Sequence, residues 1–349
     1  MALILGIESS CDETGVALVD DTGRVLAQAL ASQQEDHAPF GGVIPELAAR
    51  KHLETLPSMV ESVFKEAGVT PADITGVAAT CGPGLIGGLL VGALYGKAMA
   101  ASLDKPFIAV NHLEGHALSP RMDDASLDFP YLVLLISGGH TQLLSCEGVG
   151  QYKRLGTTLD DAVGECFDKC ASVLGLGQPG GPELEKAAAK ARKSLDFGLP
   201  KPLWRQKNCD FSFSGLKTAV ARAASQPHDA HELAWAVQTV IAQTLADRCR
   251  QAMEIFTATH QGKPKNMVIA GGVAANKAIR TALEAESKKY GFTLHVPPPA
   301  LCTDNGVMIA WAGLERYRCG MTDPLSTKVR PRWPLDPDAA PKRGAKVKV

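Results

Sequence analysis

One pattern limits the fold more than any other: short apolar runs separated by small polar turns, in a set of three that occurs twice. Ala2 to Ile7 is apolar, Glu8-Ser-Ser-Cys-Asp-Glu-Thr-Gly15 is a polar turn, and Val16 to Val19 is apolar again. Asp20-Asp-Thr-Gly23 then turns into a third run, Arg24 to Ala29. Tyr131 to Ile136, the turn Ser137-Gly-Gly-His-Thr141, Gln142 to Ser145, the turn Glu147-Gly-Val-Gly150 and Tyr152 to Leu155 repeat the plan. Such runs read as strands. Their shared grammar predicts an internal duplication in an α/β chain.

Helical patterns lie between and after the copies. Pro45 to Ala67 carries an apolar stripe at Leu47, Leu53, Leu56, Val60, Val63 and Phe64, with proline in its first turn. Gly82-Pro-Gly-Leu-Ile-Gly-Gly88 opens a helix rich in small residues, which allow close backbone approach to another helix or to a ligand. The stretch Gly84 to Ala101 holds five glycines and Lys97 and reads as a buried helix, not a membrane span. Leu159 to Leu174 reads as a helix, 175–215 as irregular, and Glu232 to His260 as a long amphipathic helix. Met267 to Ala270 is a strand running into Gly271-Gly272 and a helix from Ala275 to Lys289. A last helix opens at Asp304 and runs to about Arg318.

At 349 residues the chain suits two domains. The expected division is 1–110 plus 306–330, then 111–305, then a basic, proline-rich, flexible tail over 331–349. Net charge is −1, so any polyanion must be met by local basic segments. Two stand out: Lys201-Pro-Leu-Trp-Arg-Gln-Lys207, and the tail from Ser326, with seven lysines and arginines against two aspartates. Nine scattered cysteines without a Cys-x-x-Cys read as reduced thiols, hence a cytoplasmic protein. The N-terminus has no basic region before its apolar run and reads as a strand, not a signal peptide.

The chemistry concentrates in a few motifs. In Asn111-His-Leu-Glu-Gly-His116 the two histidines stand one helical turn apart, on one face. Neutral imidazoles so placed suit a borderline divalent metal, and Asp304 in Cys302-Thr-Asp-Asn-Gly306 could complete a two-histidine, one-carboxylate set. Zinc peptidases place glutamate directly after the first histidine. Here it is Glu114, two residues on, pointing away from the metal face. The turns at 8–15 and 137–141 have the make-up of phosphate cradles. The first also carries Asp12 and Glu13, either solvated turn residues or groups that orient a nucleophile. Val268-Ile-Ala-Gly-Gly-Val-Ala-Ala-Asn276 is a strand–glycine–helix junction where a base or ribose could lie, with Asn276 a base contact or a plain helix residue. Asp168 could accept a ribose diol or simply pair with Lys169. Pro179-Gly-Gly-Pro-Glu-Leu-Glu185 is a nucleotide lid or only a helix entry.

Duplicated hairpins with phosphate turns and a late Gly-Gly element resemble the actin-like ATPase superfamily (ASKHA, ribonuclease H-like), two lobes around a central cleft. Within it the motifs at 8–14, 111–116, 137–142, 302–306 and Asp210-Phe-Ser-Phe-Ser-Gly-Leu-Lys217 resemble one family, the bacterial tRNA threonylcarbamoyladenosine transferases, TsaD, once labelled O-sialoglycoprotein endopeptidases. The resemblance runs from residue 4 to Pro334. It implies transfer of a threonylcarbamoyl group from threonylcarbamoyl-AMP to the exocyclic amine of the adenosine 3′ of the anticodon in ANN-decoding tRNAs, with AMP leaving. It implies metal ligands at His112, His116 and Asp304, and substrate contacts at Leu135, Ile136, Ser137, Gly138, Gly139, Asp168, Gly181 and Asn276. The ion would be Fe(2+), with Zn(2+) or Mg(2+) as alternatives, and the nucleotide threonylcarbamoyl-AMP or ATP. Asp12 or Glu13 would position or deprotonate the amine. Implied partners are tRNA, TsaB paired through the N-terminal lobe, and TsaE, a P-loop ATPase, with no membrane. The competing readings are an ATPase or small-molecule kinase of this fold, and a metallopeptidase.

Overall fold

The computed structural model describes residues 2–40, 42–124, 126–340 and 342. Its strands are β1 Leu3–Glu8, β2 Glu13–Asp20, β3 Val25–Ser32, β4 Gly76–Gly82, β5 Phe107–Asn111, β6 Tyr131–Ile136, β7 Thr141–Gly148, β8 Gln151–Thr157, β9 Asn266–Ala270 and β10 Thr293–His295. Single-turn helices aside, the helices are α1 Pro45–Ala67, α2 Ile86–Leu103, α3 His112–Leu118, α4 Val163–Val173, α5 Gly180–Ala188, α6 Ser214–Ala224, α7 Ala230–Thr259, α8 Lys277–Tyr290 and α9 Gly306–Arg318.

The strands form two sheets, ordered β3-β2-β1-β4-β5 and β10-β9-β6-β7-β8. In each, the first three strands form an antiparallel meander and the last two add in parallel beside the first. Read from the meander edge, both sheets have the same connectivity, so the duplication expected from the turns is a duplication of topology. Parallel strands need long crossovers. The helices between β3 and β5, and between β8 and β10, supply them.

The apolar residues divide into layers. Leu5, Ile7 and Val16 of the first sheet pack with Leu56, Val60 and Ala93 of α1 and α2. Leu134, Ile136 and Ile269 of the second pack with residues of α4, α7 and α8 such as Phe167, Ile241 and Leu283. A middle cluster lies between the sheets, where Ile4 and Val110 meet Val133 and Val268 across Leu113 of α3 and Ile309 and Trp311 of α9. Alternate residues of β1 thus face different layers, as a strand's period of two requires. Alpha-9 lies directly on the first sheet. A Cβ on Gly6 would come within 2.3 Å of Ala310 N, and one on Gly15 within 2.5 Å of Gly306 N.

Several expectations shift. The stretch taken as irregular contains α5. The last helix begins at Gly306, capped by Asn305, so Asp304 lies on the loop before it. The helix placed at 275–289 is Lys277–Tyr290, capped by Asn276. Alpha-2 is long and apolar enough to cross a membrane, but it is not buried all round. Gly88, Gly92 and Gly96 face inward while Ile86, Leu90 and Leu94 are exposed. Its small residues serve packing: a Cβ on Gly92 would meet Ser9 Oγ at 2.1 Å. The tail also differs from the loose segment expected, since its described part is tied down. Arg330 N donates to Cys81 O, Asn111 Nδ2 to Trp333 O and Arg154 N to Asp336 Oδ2, and Leu335 is buried. Residues 341 and 343–349 lie outside the described residues.

Candidate metal and nucleotide site

Beta-5 ends at Asn111, whose Oδ1 accepts the Leu113 N–H and starts α3. The seven-residue helix then presents His112 and His116 one turn apart, their rings 4.9 Å apart and edge to face. From the far end of the chain, the loop before α9 brings in Asp304. Its Oδ1 lies 2.9 Å from His116 Nε2 and 3.4 Å from His112 Nε2. One nitrogen from each ring and one carboxylate oxygen fall within 4.8 Å of one another.

Glu8, a residue that the sequence reading passed over, completes this arrangement. It is fully buried at the end of β1, and its Oε2 lies 3.1 Å from His112 Nδ1. A carboxylate only accepts, so Nδ1 carries a proton and Nε2 is the nitrogen turned toward Asp304. This is the usual support for a metal-ligating histidine. Thr80 Oγ1 and Ser10 N also donate to Glu8. The signal was a carboxylate closing an apolar strand.

The charges are consistent with a cation. Burial opposes protonation of His112, but Asp304 and Glu8 overcome it and push its pKa up to about 9. Despite burial, the two imidazoles hold Asp304 well below the usual carboxylate range. Burial likewise fails to raise Glu8, which His112 and Ser10 keep low. Two carboxylates thus share a cage with two imidazoles, and the buried His116 Nδ1 has no hydrogen-bond partner among the described residues. Two imidazole nitrogens and a carboxylate oxygen are the donor set of a two-histidine, one-carboxylate divalent site.

Glu13 sits at the edge of the cluster. Burial first, then Asp304 and Asp12, push its pKa up to about 9. The turn carrying Asp12 and Glu13 is held by a second residue not anticipated, the fully buried His52 of α1. Its Nε2 lies 3.0 Å from Cys11 O and so donates, leaving Nδ1 to accept from Thr14 Oγ1 at 2.7 Å.

The second turn bounds a pocket through Gly138, and the charge of its His140 acts on Asp304. Ser137 N donates to His140 O and His140 N to Ser137 Oγ, closing the turn. The amides left to face an anion are therefore those of Gly138 and Gly139, where a Cβ would meet nothing. The Ser137 hydroxyl keeps its own proton to donate. Leu135 and Ile136 lie inside β6 with their side chains in the two cores, so they can offer a ligand only backbone. Behind Gly138 opens a cavity of about 180 Å³ that Asp168, Gly181, Glu185, Gly272 and Asn276 help to line. Four residues from separate motifs, Gly138, Asp168, Gly181 and Asn276, thus meet at one pocket. Asp168 Oδ1 accepts the Gly180 N–H that starts α5, making the 179–185 stretch a helix entry. Burial raises the Asp168 pKa against the pull of the Gly180 and Gly181 amides. Asn276 Oδ1 accepts from Ile279 N and its Nδ2 donates to Gln238, so it caps α8 while lining the pocket.

Glu114 is elsewhere. Its carboxylate accepts from Gly150 N, Tyr152 Oη and Arg316 Nη1. The 210–217 motif is structural in this arrangement: Asp160 accepts from Ser212 Oγ, Phe213 N and Ser214 N at the start of α6. Of the 201–207 segment, Lys201 stacks over Trp204 and Arg205 N donates to Asp247.

The profile of TsaD, tRNA N6-adenosine threonylcarbamoyltransferase, matches residues 24–311. The chain is 56% identical to the enzyme of that name from Sphingopyxis alaskensis, over all of both chains. It is 54% identical to the one from Rhodospirillum rubrum, over 98% of this chain and 97% of that one. In fold it is similar to component A of the Acidaminococcus fermentans (R)-2-hydroxyglutaryl-CoA dehydratase, with a TM-score of 0.53 at 17% identity over 91% of this chain and 100% of that one. The duplicated sheets and that likeness make the fold the actin-like ATPase fold, and by sequence the chain belongs to the TsaD family of tRNA N6-adenosine threonylcarbamoyltransferases.

Proposed function

We propose that this chain transfers the threonylcarbamoyl group of threonylcarbamoyl-AMP to the exocyclic amine of the adenosine 3′ of the anticodon in ANN-decoding tRNAs. The amine nitrogen bonds to the carbamoyl carbon, the bond from that carbon to the phosphate oxygen breaks, AMP leaves with the electron pair, and one amine proton is lost. The observation that carries this reading is the convergence of His112, His116 and Asp304 within 4.8 Å, beside a turn whose Gly138 also bounds the nucleotide pocket.

The mixed anhydride is already activated, so orientation and charge stabilisation are the main tasks. His112, His116 and Asp304 would hold a divalent ion, Fe(2+) in our reading with Zn(2+) or Mg(2+) as alternatives, and that ion would supply Lewis acidity. The amides of Gly138 and Gly139 and the Ser137 hydroxyl face the phosphate. Asp168, Gly181 and Asn276 hold the adenosine, with backbone of Leu135 and Ile136 behind them. Glu13, protonated near neutrality, orients the amine, and Asp12 receives its proton. In this scheme 1–110 with 306–330 form one lobe and 111–305 the other.

The reaction takes place in the cytoplasm with two partners. TsaB pairs through the N-terminal lobe, where Leu53 of α1 and Ile86, Leu90 and Leu94 of α2 are exposed. TsaE is the P-loop ATPase of the assembly. A metallopeptidase is disfavoured, because Glu114 is held by Arg316 and Tyr152 away from the histidines.

The test combines the chain, TsaB, TsaE, threonylcarbamoyl-AMP and unmodified tRNA. The expected result is modified nucleoside and AMP in equal amounts. AMP release without nucleoside would overturn the transfer reading.

A further inference from the structure

The segment 326–334, Ser-Thr-Lys-Val-Arg-Pro-Arg-Trp-Pro, contains three cations and no acid. Its described course is a fixed strap. Lys97 Nζ of α2 donates to Thr327 O, Arg330 N to Cys81 O, Gly84 N to Pro331 O and Asn111 Nδ2 to Trp333 O. Val329 and Trp333 pack against the core of the first sheet, while Lys328, Arg330 and Arg332 are exposed. Alternate positions therefore divide, with apolar anchors at 329 and 333 and cations at 328, 330 and 332. Arg330 lies over the Trp333 ring at 5.1 Å, and no carboxylate among the described residues pairs with any of the three.

A chain of net charge −1 has no general attraction for a polyanion. An unpaired row of cations on anchored backbone is the kind of local device that can supply one. The strap is also close to the chemistry, since the Asn111 side chain that holds Trp333 O caps the helix carrying His112.

We propose that the strap is a docking rail for the sugar-phosphate backbone of tRNA, with Lys328, Arg330 and Arg332 each meeting a phosphate and so presenting the target adenosine to the metal-side cleft. This rests on the transferase reading above and deepens it.

The test is a salt titration of tRNA binding by the chain assembled with TsaB and TsaE, as wild type and as Lys328→Gln, Arg330→Gln and Arg332→Gln combined. Each phosphate contact contributes about 0.7 to the log–log salt slope on a single strand. The triple variant should lose a slope of about 2, so that with affinities matched at 1 M salt it binds about 100-fold more weakly than wild type at 0.1 M, and it should raise KM for tRNA with kcat at saturation retained. Arg330→Lys with Arg332→Lys should restore most of the affinity. Metal content, adenylate affinity and Tm serve as fold controls, because Val329 and Trp333 are untouched. A wild-type assembly that modifies tRNA, with a triple variant of unchanged slope and KM, would overturn the rail alone. A wild-type assembly with no affinity for tRNA would overturn the transferase reading and the rail together.

Discussion

Arg316 Nη1 lies 3.0 Å from Glu114 Oε2, an ion pair joining the histidine helix to α9. Glu114 is only 1% exposed, so its charge depends on Arg316, Tyr152 and the Gly150 amide. Breaking one side of a buried pair costs about 3–5 kcal/mol. Glu114→Ala should therefore lower the denaturation midpoint strongly, while the fraction still folded binds metal normally. Selective loss of metal with unchanged stability would contradict this assignment.

His116→Ala and Asp304→Ala should each abolish stoichiometric metal and transfer activity in a folded protein. Glu8→Gln should act more gently, because it touches the metal only through His112. A change in an outer partner of this kind costs about 10–100-fold in metal affinity. Metal analysis with competitive chelation reads both effects. Full activity in metal-free His116→Ala would end the Lewis-acid scheme.

Asp168→Ala and Asn276→Ala should weaken adenylate binding without loss of metal, as measured by calorimetry. Asn276→Ala carries a second expected cost, about 1 kcal/mol of stability, because it removes the cap of α8. Unchanged nucleotide affinity in both would mean that the pocket lies elsewhere.

Asp160 gives an acid-limb prediction. Burial alone would raise its pKa, but hydrogen bonds from Ser212, Phe213 and Ser214 hold it below the usual value. A depressed carboxylate stabilises the fold above its unfolded pKa, about 3.9. That stabilisation is lost as pH falls through the folded value. Asp160→Asn should thus be less stable than wild type near neutrality and lose less stability on acidification below about pH 4. Parallel urea melts down to pH 3 would show it, and equal slopes for the two proteins would refute it.

Legibility in the sequence followed the range of the forces involved. The bounds of α1 were readable to the residue because its stripe, first-turn proline and terminal glycine are local, although Leu53, read as part of the stripe, is exposed. Beta-4 reads Gly-Val-Ala-Ala-Thr-Cys-Gly and is buried on both faces, so it shows no alternation, and only Val77 and Thr80 are strong strand formers. The histidine pair stood out by residue type and spacing, whereas Asp304 meets it from 188 residues away. Glu8 and His52 did not stand out, since their roles arise from partners 104 and 41 residues away. The strap looked disordered because proline and charge dominate it, and its anchors, Val329, Trp333 and Leu335, act only across the fold.

The contact of β2 with α9 has a consequence for tolerance to change. Gly15 and Gly306 meet with no room between them: a methyl on Gly306 would lie 2.5 Å from Val16 C. Gly306 is two residues from Asp304, so backbone clearance on this face sets how far the carboxylate stands from the two imidazoles. A single added methyl at either glycine works as a shim. It would raise the helix, enlarge the coordination triangle and detune the site while every coordinating side chain remained in place.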